Sequence, residues 1–167
     1  MKKIIILSLL LFLGMTVKAQ IYQGYSSVGF QVGYGFKTKN ATVGIDYRYN
    51  ITDEIRLNPG LTYFVKDGGL SGWALDMNAH YVVPLGDIFV IYPLAGIDLS
   101  FWKDTYEWHL DHSVLKGKEN FTRIGVNAGV GGEVWLTDLF TLGAELKYNL
   151  VKTMNQTLIS FRVAYHF

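Results

Sequence analysis

The chain has 167 residues, half of them hydrophobic and 15% aromatic, with 18 glycines, three prolines and no cysteine. That length makes one domain, and a formal net charge of +1 with 17% charged residues leaves no electrostatic footprint for nucleic acid. Without cysteine there are no disulfides, no thiol catalysis and no cysteine-ligated metal.

Lys2 and Lys3 open the chain, Ile4 to Leu13 is apolar apart from Ser8, and Val17-Lys18-Ala19 places small residues where a signal peptidase cuts. The apolar run is about ten residues, half of the roughly 20 needed to cross a bilayer. The expectation is a signal peptide over 1–19, cleaved after Ala19, and one mature domain over 20–167 with a formal charge of −2. No later segment is apolar enough for a transmembrane helix, so a membrane-resident mature chain must be a closed β-barrel.

Ser26 to Lys37 alternates with period two, Val28, Phe30, Val32, Tyr34 and Phe36 against Gly29, Gln31, Gly33, Gly35 and Lys37. After Thr38-Lys39-Asn40, Ala41 to Tyr49 repeats the pattern, with Val43, Ile45, Tyr47 and Tyr49 opposite Thr42, Gly44, Asp46 and Arg48. A turn at 50–54 leads to a third strand, Ile55 to Lys66, which Asp67-Gly68-Gly69 breaks. The fourth, Gly72 to Val83, sets Trp73, Leu75, Met77, Ala79 and Tyr81 against Asp76, Asn78 and His80, and ends at Pro84-Leu85-Gly86-Asp87. Strand five, Ile88 to Trp102, is apolar on both faces for several residues; Phe89, Ile91, Ala95, Ile97, Leu99 and Phe101 form its better stripe. A loop over 103–119 precedes strand six, Asn120 to Leu136, then strand seven, Phe140 to Leu150, and the closing strand, Thr157 to Phe167. YNITDEIRLNPGLTY at 49–63 resembles VWLTDLFTLGAELKY at 134–148, which reads as repeated hairpin chemistry. Pro59 and Pro93 lie inside strands, where a bulge or local loss of pairing is expected.

Eight strands of this length, with tight turns alternating with longer connections, predict an all-β, eight-stranded antiparallel up-and-down transmembrane barrel. Alternation alone does not say which stripe faces out, since a soluble barrel buries the apolar one. About five large apolar residues on each of eight strands overfill so narrow an interior. The opposite stripe is crowded with glycine (29, 33, 35, 44, 60, 125, 129, 131 and 143) beside charged groups, which suits a cramped lumen. Aromatics gather at both strand ends, as lipid interfaces select. Tyr47, Tyr49, Tyr81, Phe89, Trp135, Phe140, Tyr165 and Phe167 lie on the turn side. Tyr34, Phe36, Tyr63, Trp73, Phe101, Trp102, Phe121 and Tyr148 lie on the loop side. The apolar stripe faces lipid.

The signal peptide, eight alternating strands, Thr-Asp turns (Thr52-Asp53 and Thr137-Asp138) and terminal aromatic strand resemble the small outer-membrane β-barrel superfamily, the OmpA/OmpX-like proteins with an outer membrane protein beta-barrel domain. The resemblance implies residence in the bacterial outer membrane, contact with its lipid, and insertion by the barrel-assembly machinery. That machinery would read Phe161, Val163, Tyr165 and Phe167 as the insertion signal. The expectation is a one-domain chain without the peptidoglycan-binding domain of the two-domain members, since 20–167 is read as barrel throughout.

The polar stripe offers Asp46, Arg48, Arg56, Asp76, His80, Arg123, Glu133, Glu145, Lys147, Arg162 and His166. Mixed acids and bases predict a plug of ion pairs, because unpaired charges there are costly. The 103–119 loop, with Trp102 at its base and Tyr106, Trp108, His109 and His112 within it, is the candidate surface for an extracellular ligand. His109-x-Asp111-His112 and His112-Ser113 match no metal or hydrolase spacing, so no metal and no cofactor are assigned. The reading is a monomeric, non-catalytic barrel with a structural or surface-interaction role. The alternatives are a lipid A deacylase or acyltransferase, whose His and Ser must lie at the external rim, and a small porin.

Overall fold

The computed structural model describes residues 22–110, 113–151 and 155–167; the signal peptide expected over 1–19 lies outside the described residues. Eight strands are seen among them: β1 (Ser26–Gly35), β2 (Asn40–Asn50), β3 (Ile55–Asp67), β4 (Leu70–Tyr81, resumed at Val83–Pro84), β5 (Phe89–Leu110), β6 (Ser113–Trp135), β7 (Phe140–Val151) and β8 (Gln156–His166). Each pairs antiparallel with its sequence neighbours. The sheet closes where β1 meets β8, from Ser27 opposite His166 to Gly35 opposite Leu158. Ser26 and Phe167 then exchange backbone hydrogen bonds at 3.3 and 3.0 Å. Among the described residues the ladders thus run all the way round the barrel, the condition for crossing hydrocarbon with β-structure.

The Thr-Asp repeat builds two matching turns. Thr52 Oγ1 accepts from the backbone N–H of Glu54 and Ile55 at 3.3 and 3.0 Å. Thr137 Oγ1 accepts from Leu139 and Phe140 at 3.3 and 3.1 Å. A hydroxyl that satisfies two turn amides in this way fixes hairpin geometry.

The prolines interrupt pairing without shifting register. The β2–β3 ladder is missing its rungs between Asp46–Gly60 and Tyr49–Leu57, around Pro59. There the Asn58 side-chain amide donates to the Tyr47 carbonyl at 3.2 Å, replacing the donor that proline lacks. The β4–β5 ladder breaks between His80–Leu94 and Val83–Ile91, around Pro93.

The large apolar side chains stand on the outer face, Ile124 at 75% exposure and Phe30, Ile45, Ile97, Val130, Phe161 and Phe167 at more than half. A soluble protein does not cover its whole girth with such a surface; lipid does. Three aromatics depart from the expected belts. Trp102, Phe121 and Trp135 turn inward, because each sits beside a lipid-facing neighbour (Phe101, Thr122 and Val134) and consecutive strand residues take opposite faces. The expected loop over 103–119 is also largely strand: β5 and β6 stay paired up to Leu110 opposite Ser113.

Ile97 stands mid-wall, opposite Met77 and Val126 on its two sides. Ile97→Arg is expected to lower folding stability in lipid vesicles by ~2–4 kcal/mol, read from urea titration of the heat-dependent gel shift. An unchanged midpoint would contradict a lipid-facing position.

Candidate functional site: a sealed lumen and an extracellular ribbon

The inward stripe converges on a buried ionic network in the periplasmic half. Glu133 on β6 accepts from Arg48 on β2 and Arg56 on β3, each at 2.6 Å. Arg48 also contacts Asp46 at 3.3 Å and Glu145 at 3.4 Å. Arg162 Nε reaches both Asp46 oxygens at 2.8 and 2.9 Å while its Nη2 donates to Ser27 Oγ at 3.2 Å. Asn58 donates to Asp46 at 2.8 Å. Tyr92 crosses the centre. Its hydroxyl accepts from Arg48 at 2.9 Å and donates to Glu145 at 3.3 Å. Its ring stacks on His80 at 4.5 Å and lies under the Arg48 and Arg56 guanidiniums at 5.0 and 4.8 Å.

Glycine makes this crossing fit. A Cβ on Gly131 would overlap the Tyr92 ring, and one on Gly29 would overlap the Arg162 guanidinium and the Asp46 carboxylate. The glycine-rich inward stripe is therefore room for long side chains of the neighbouring strands, Tyr92 over Gly131 and Arg162 and Asp46 over Gly29.

A second layer lies further out. Lys147 pairs with Asp76 at 2.9 Å, and Asn127 donates to Asp76 at 2.7 Å and to Asn78 at 3.0 Å. Asp98 faces Asp76 across one rung. It is 2% exposed, and among the described residues neither of its oxygens meets a donor in hydrogen-bonding geometry. The Asn149 side-chain oxygen, also without a donor, lines the same small void.

Apolar groups close both ends. Val82, Val90 and Trp135 pack with Tyr25 and Ile88 at the periplasmic mouth. His166 is wedged there, 4.3 Å from the Trp135 ring and 3.0 Å from Thr141 Oγ1. Phe64, Ala74, Trp102 and Leu158 pack with Leu70 and Phe121 at the other end. The void beside Arg56, Glu133 and His166 measures about 10 Å3, scarcely the space of one water.

Of the sequence-nominated lumen residues, Asp46, Arg48, Glu133, Glu145 and Arg162 meet in the first layer and Asp76 and Lys147 in the second. Arg123 joins neither: it sits at the outer rim, over the Phe121 ring at 4.8 Å, and donates to the Thr122 carbonyl at 3.3 Å. Tyr92, Asn58, Asn127 and Asp98 belong to the network and were not nominated. Their only signal was an inward register position on an alternating strand.

Trp102, expected at the base of the contact surface, faces the lumen instead. It is 4% exposed and stacks on Phe64 at 4.6 Å inside the barrel. Tyr106 is exposed and lies across Gly117, its partner in the ladder. The side chains of Trp108 and His109, and all of His112, lie outside the described residues. The backbone around them forms a ribbon. β4 accompanies β5 only to Asp104, and β7 pairs with β6 only from Gly125. Beyond Asp104, β5 and β6 pair with each other from Thr105 opposite Lys118 to Leu110 opposite Ser113. Barrels of this kind keep tight turns on the periplasmic side, so the ribbon is extracellular.

A closed eight-stranded barrel with an apolar outer face and a polar, side-chain-filled core is a transmembrane β-barrel. The outer membrane protein beta-barrel domain model matches residues 5–167, so the chain belongs to that family, and its place is the bacterial outer membrane. The fold is similar to the N-terminal barrel of Pseudomonas aeruginosa OprF (18% identity, TM-score 0.64, covering 87% of this chain and 98% of that one). It is similar as well to the attachment invasion locus protein Ail of Yersinia pestis (16%, 0.60, 87% and 99%) and to Neisserial surface protein A (18%, 0.58, 86% and 95%). No curated protein matches the sequence.

Two substitutions separate paired from unpaired buried charge. Glu133→Gln leaves two buried guanidiniums without their shared carboxylate and is expected to cost about 3–5 kcal/mol. Asp98→Asn removes a carboxylate without a donor and puts a neutral amide in the void that Asn149 also lines. It is expected to stabilise by about 1–3 kcal/mol. Urea unfolding in vesicles at neutral pH measures both, and a destabilised Asp98→Asn would show that the carboxylate has a partner.

Proposed function

We propose that this protein is a non-catalytic outer-membrane barrel that presents the β5–β6 ribbon for contact outside the cell. The observation that carries the reading is the pairing pattern: among the described residues, β5 and β6 run six residues each past the last rung with β4. A ribbon that adds nothing to barrel closure has no structural reason to be so long, and it exposes two strand edges that invite pairing. Its sequence balances Glu107 and Asp111 against Lys116 and Lys118 and adds the aromatics Tyr106 and Trp108, a composition suited to a protein surface more than to a polyanion.

The sealed lumen argues against a porin, since ion pairs fill its middle and aromatic clusters its ends. Two of the four histidines are removed as candidates for a lipid A-modifying enzyme. His80 and His166 sit inside the wall, held by Arg56, Tyr92, Thr141 and Trp135, and not at the lipid-facing rim where acyl chains lie. Lipid contact and insertion through the closing strand (Phe161, Val163, Tyr165 and Phe167, all exposed to lipid) complete the proposal.

Three measurements test it. Planar bilayers should show no unitary conductance, and lipid A from expressing and non-expressing cells should have the same acylation pattern. Replacing 105–118 with a two-residue turn should leave the heat-dependent gel shift intact while abolishing adhesion of expressing cells to immobilised extracellular matrix and serum proteins. Adhesion that survives the replacement would remove the ribbon from the proposal; a changed acylation pattern would overturn the non-catalytic reading.

A further inference from the structure

We propose that the outer rim carries a binding site for a phosphorylated glycolipid of the lipid A type, on the wall formed by β3, β4, β5 and β6. A cleft of about 440 Å3 opens there, within the size range of specific small-molecule sites. Two consecutive outward rungs build it. The lower is aromatic: Tyr63 beside Trp73, Trp73 beside Phe101, Phe101 beside Thr122. The upper is polar: Ser71 beside Lys103, Lys103 beside Asn120. The backbone of Gly72, between the rungs on β4, forms part of the cleft's floor.

The depth of this step from apolar to polar matters. Phe101 lies twelve residues along β5 from Phe89, and about 3.4 Å per residue at a tilt near 40° lifts it about 31 Å. The apolar band of such barrels is about 25 Å tall. The aromatic rung therefore stands at the outer edge of the hydrocarbon, and Lys103 one rung higher, at headgroup level. A ligand spanning both must be apolar below and polar above.

The charge chooses among lipids. Lys103 lines the cleft and no carboxylate does. The Arg123 guanidinium lies at the same end, bonded to the carbonyl of Thr122 and packed on Phe121, both lining residues. Asp104 and Glu119 face each other on the next, inward rung. The cleft thus offers a cation for phosphate, hydroxyl and amide groups for sugar hydroxyls, and flat rings for sugar faces and acyl chains. Tyr63 and Trp73, with ring centroids 4.5 Å apart, form that platform.

Native mass spectrometry of the detergent-solubilised full chain, titrated with purified lipid A, tests the site. One lipid A per barrel should survive activation. Lys103→Ala, which perturbs no packing, should weaken retention roughly tenfold or more, and Trp73→Ala should weaken it further. Tyr148→Ala, an equally exposed aromatic of the same belt on β7, should leave retention unchanged. Each variant is checked for folding by its gel shift. The site is overturned if Lys103→Ala binds like the parent, if Tyr148→Ala loses as much, or if dephosphorylated lipid A or phosphatidylglycerol is retained equally well.

Discussion

The rest of the structure depends on one constraint: in hydrocarbon, every backbone N–H and C=O must find its partner within the sheet. The β1–β8 ladder meets it by making the last strand a neighbour of the first. Where the chain cannot supply a donor, at Pro59, a side chain does so, and Asn58 reaches the Tyr47 carbonyl. Where the chain reverses, Thr52 and Thr137 satisfy the turn amides. Closure then fixes everything transverse to the wall. With eight strands the bore is narrow, so one stripe must face lipid and the other must share a confined interior.

That confinement explains why glycine and arginine occur together. Arg48, Arg56 and Arg162 enter the bore from β2, β3 and β8; Gly29 on the adjoining β1 leaves room for Arg162 and Asp46, and Gly131 leaves room for Tyr92, which bonds Arg48. Burying so many ions is tolerable only when each is paired. Among the described residues the lumen holds the carboxylates of Asp46, Asp76, Asp98, Glu133 and Glu145 against the cations Arg48, Arg56, Lys147 and Arg162. Glu133 is shared by Arg48 and Arg56 and Asp46 by Arg48 and Arg162, whereas Asp98 has the crowding of Asp76 and no ion pair of its own. The imbalance falls in the outer half, the part farther from the dense arginine layer.

Period two made the faces legible: Ile45, Ile97, Val130 and Phe161 stand outward where alternation puts them. It failed where a second rule overrode the first. Trp102, Phe121 and Trp135 were placed by the preference of aromatics for interfaces, but strand geometry allows only one of two adjacent residues to face lipid, and the inner one becomes a plug. The stretch of β5 that is apolar on both faces has the same origin, since Val90 and Leu94 are buried inside the barrel. The network partners were not legible at all. Arg48 and Glu133 lie 85 residues apart on strands that are not neighbours, so no ladder rule pairs them; only the closed circumference does. The ribbon was hidden for a different reason. Between Lys103 and Glu119 both faces are polar or mixed, and a strand without a buried side shows no alternation to read.

The lumen is filled, and the ribbon and the rim cleft both belong to one hairpin. β5 and β6 supply the ribbon from Thr105 and Lys118 upward. They also supply Phe101, Lys103, Asn120 and Thr122 to the rim cleft just below. The rung Lys103–Asn120 is two residues beneath the first rung that stands free of β4. A ribbon of two strands has little stability alone, so its direction is set at its base, where β4 still holds one side. Contacts at the rim cleft bear on that base, and whatever steadies Lys103 and its neighbours also steadies the point from which the ribbon leaves the membrane.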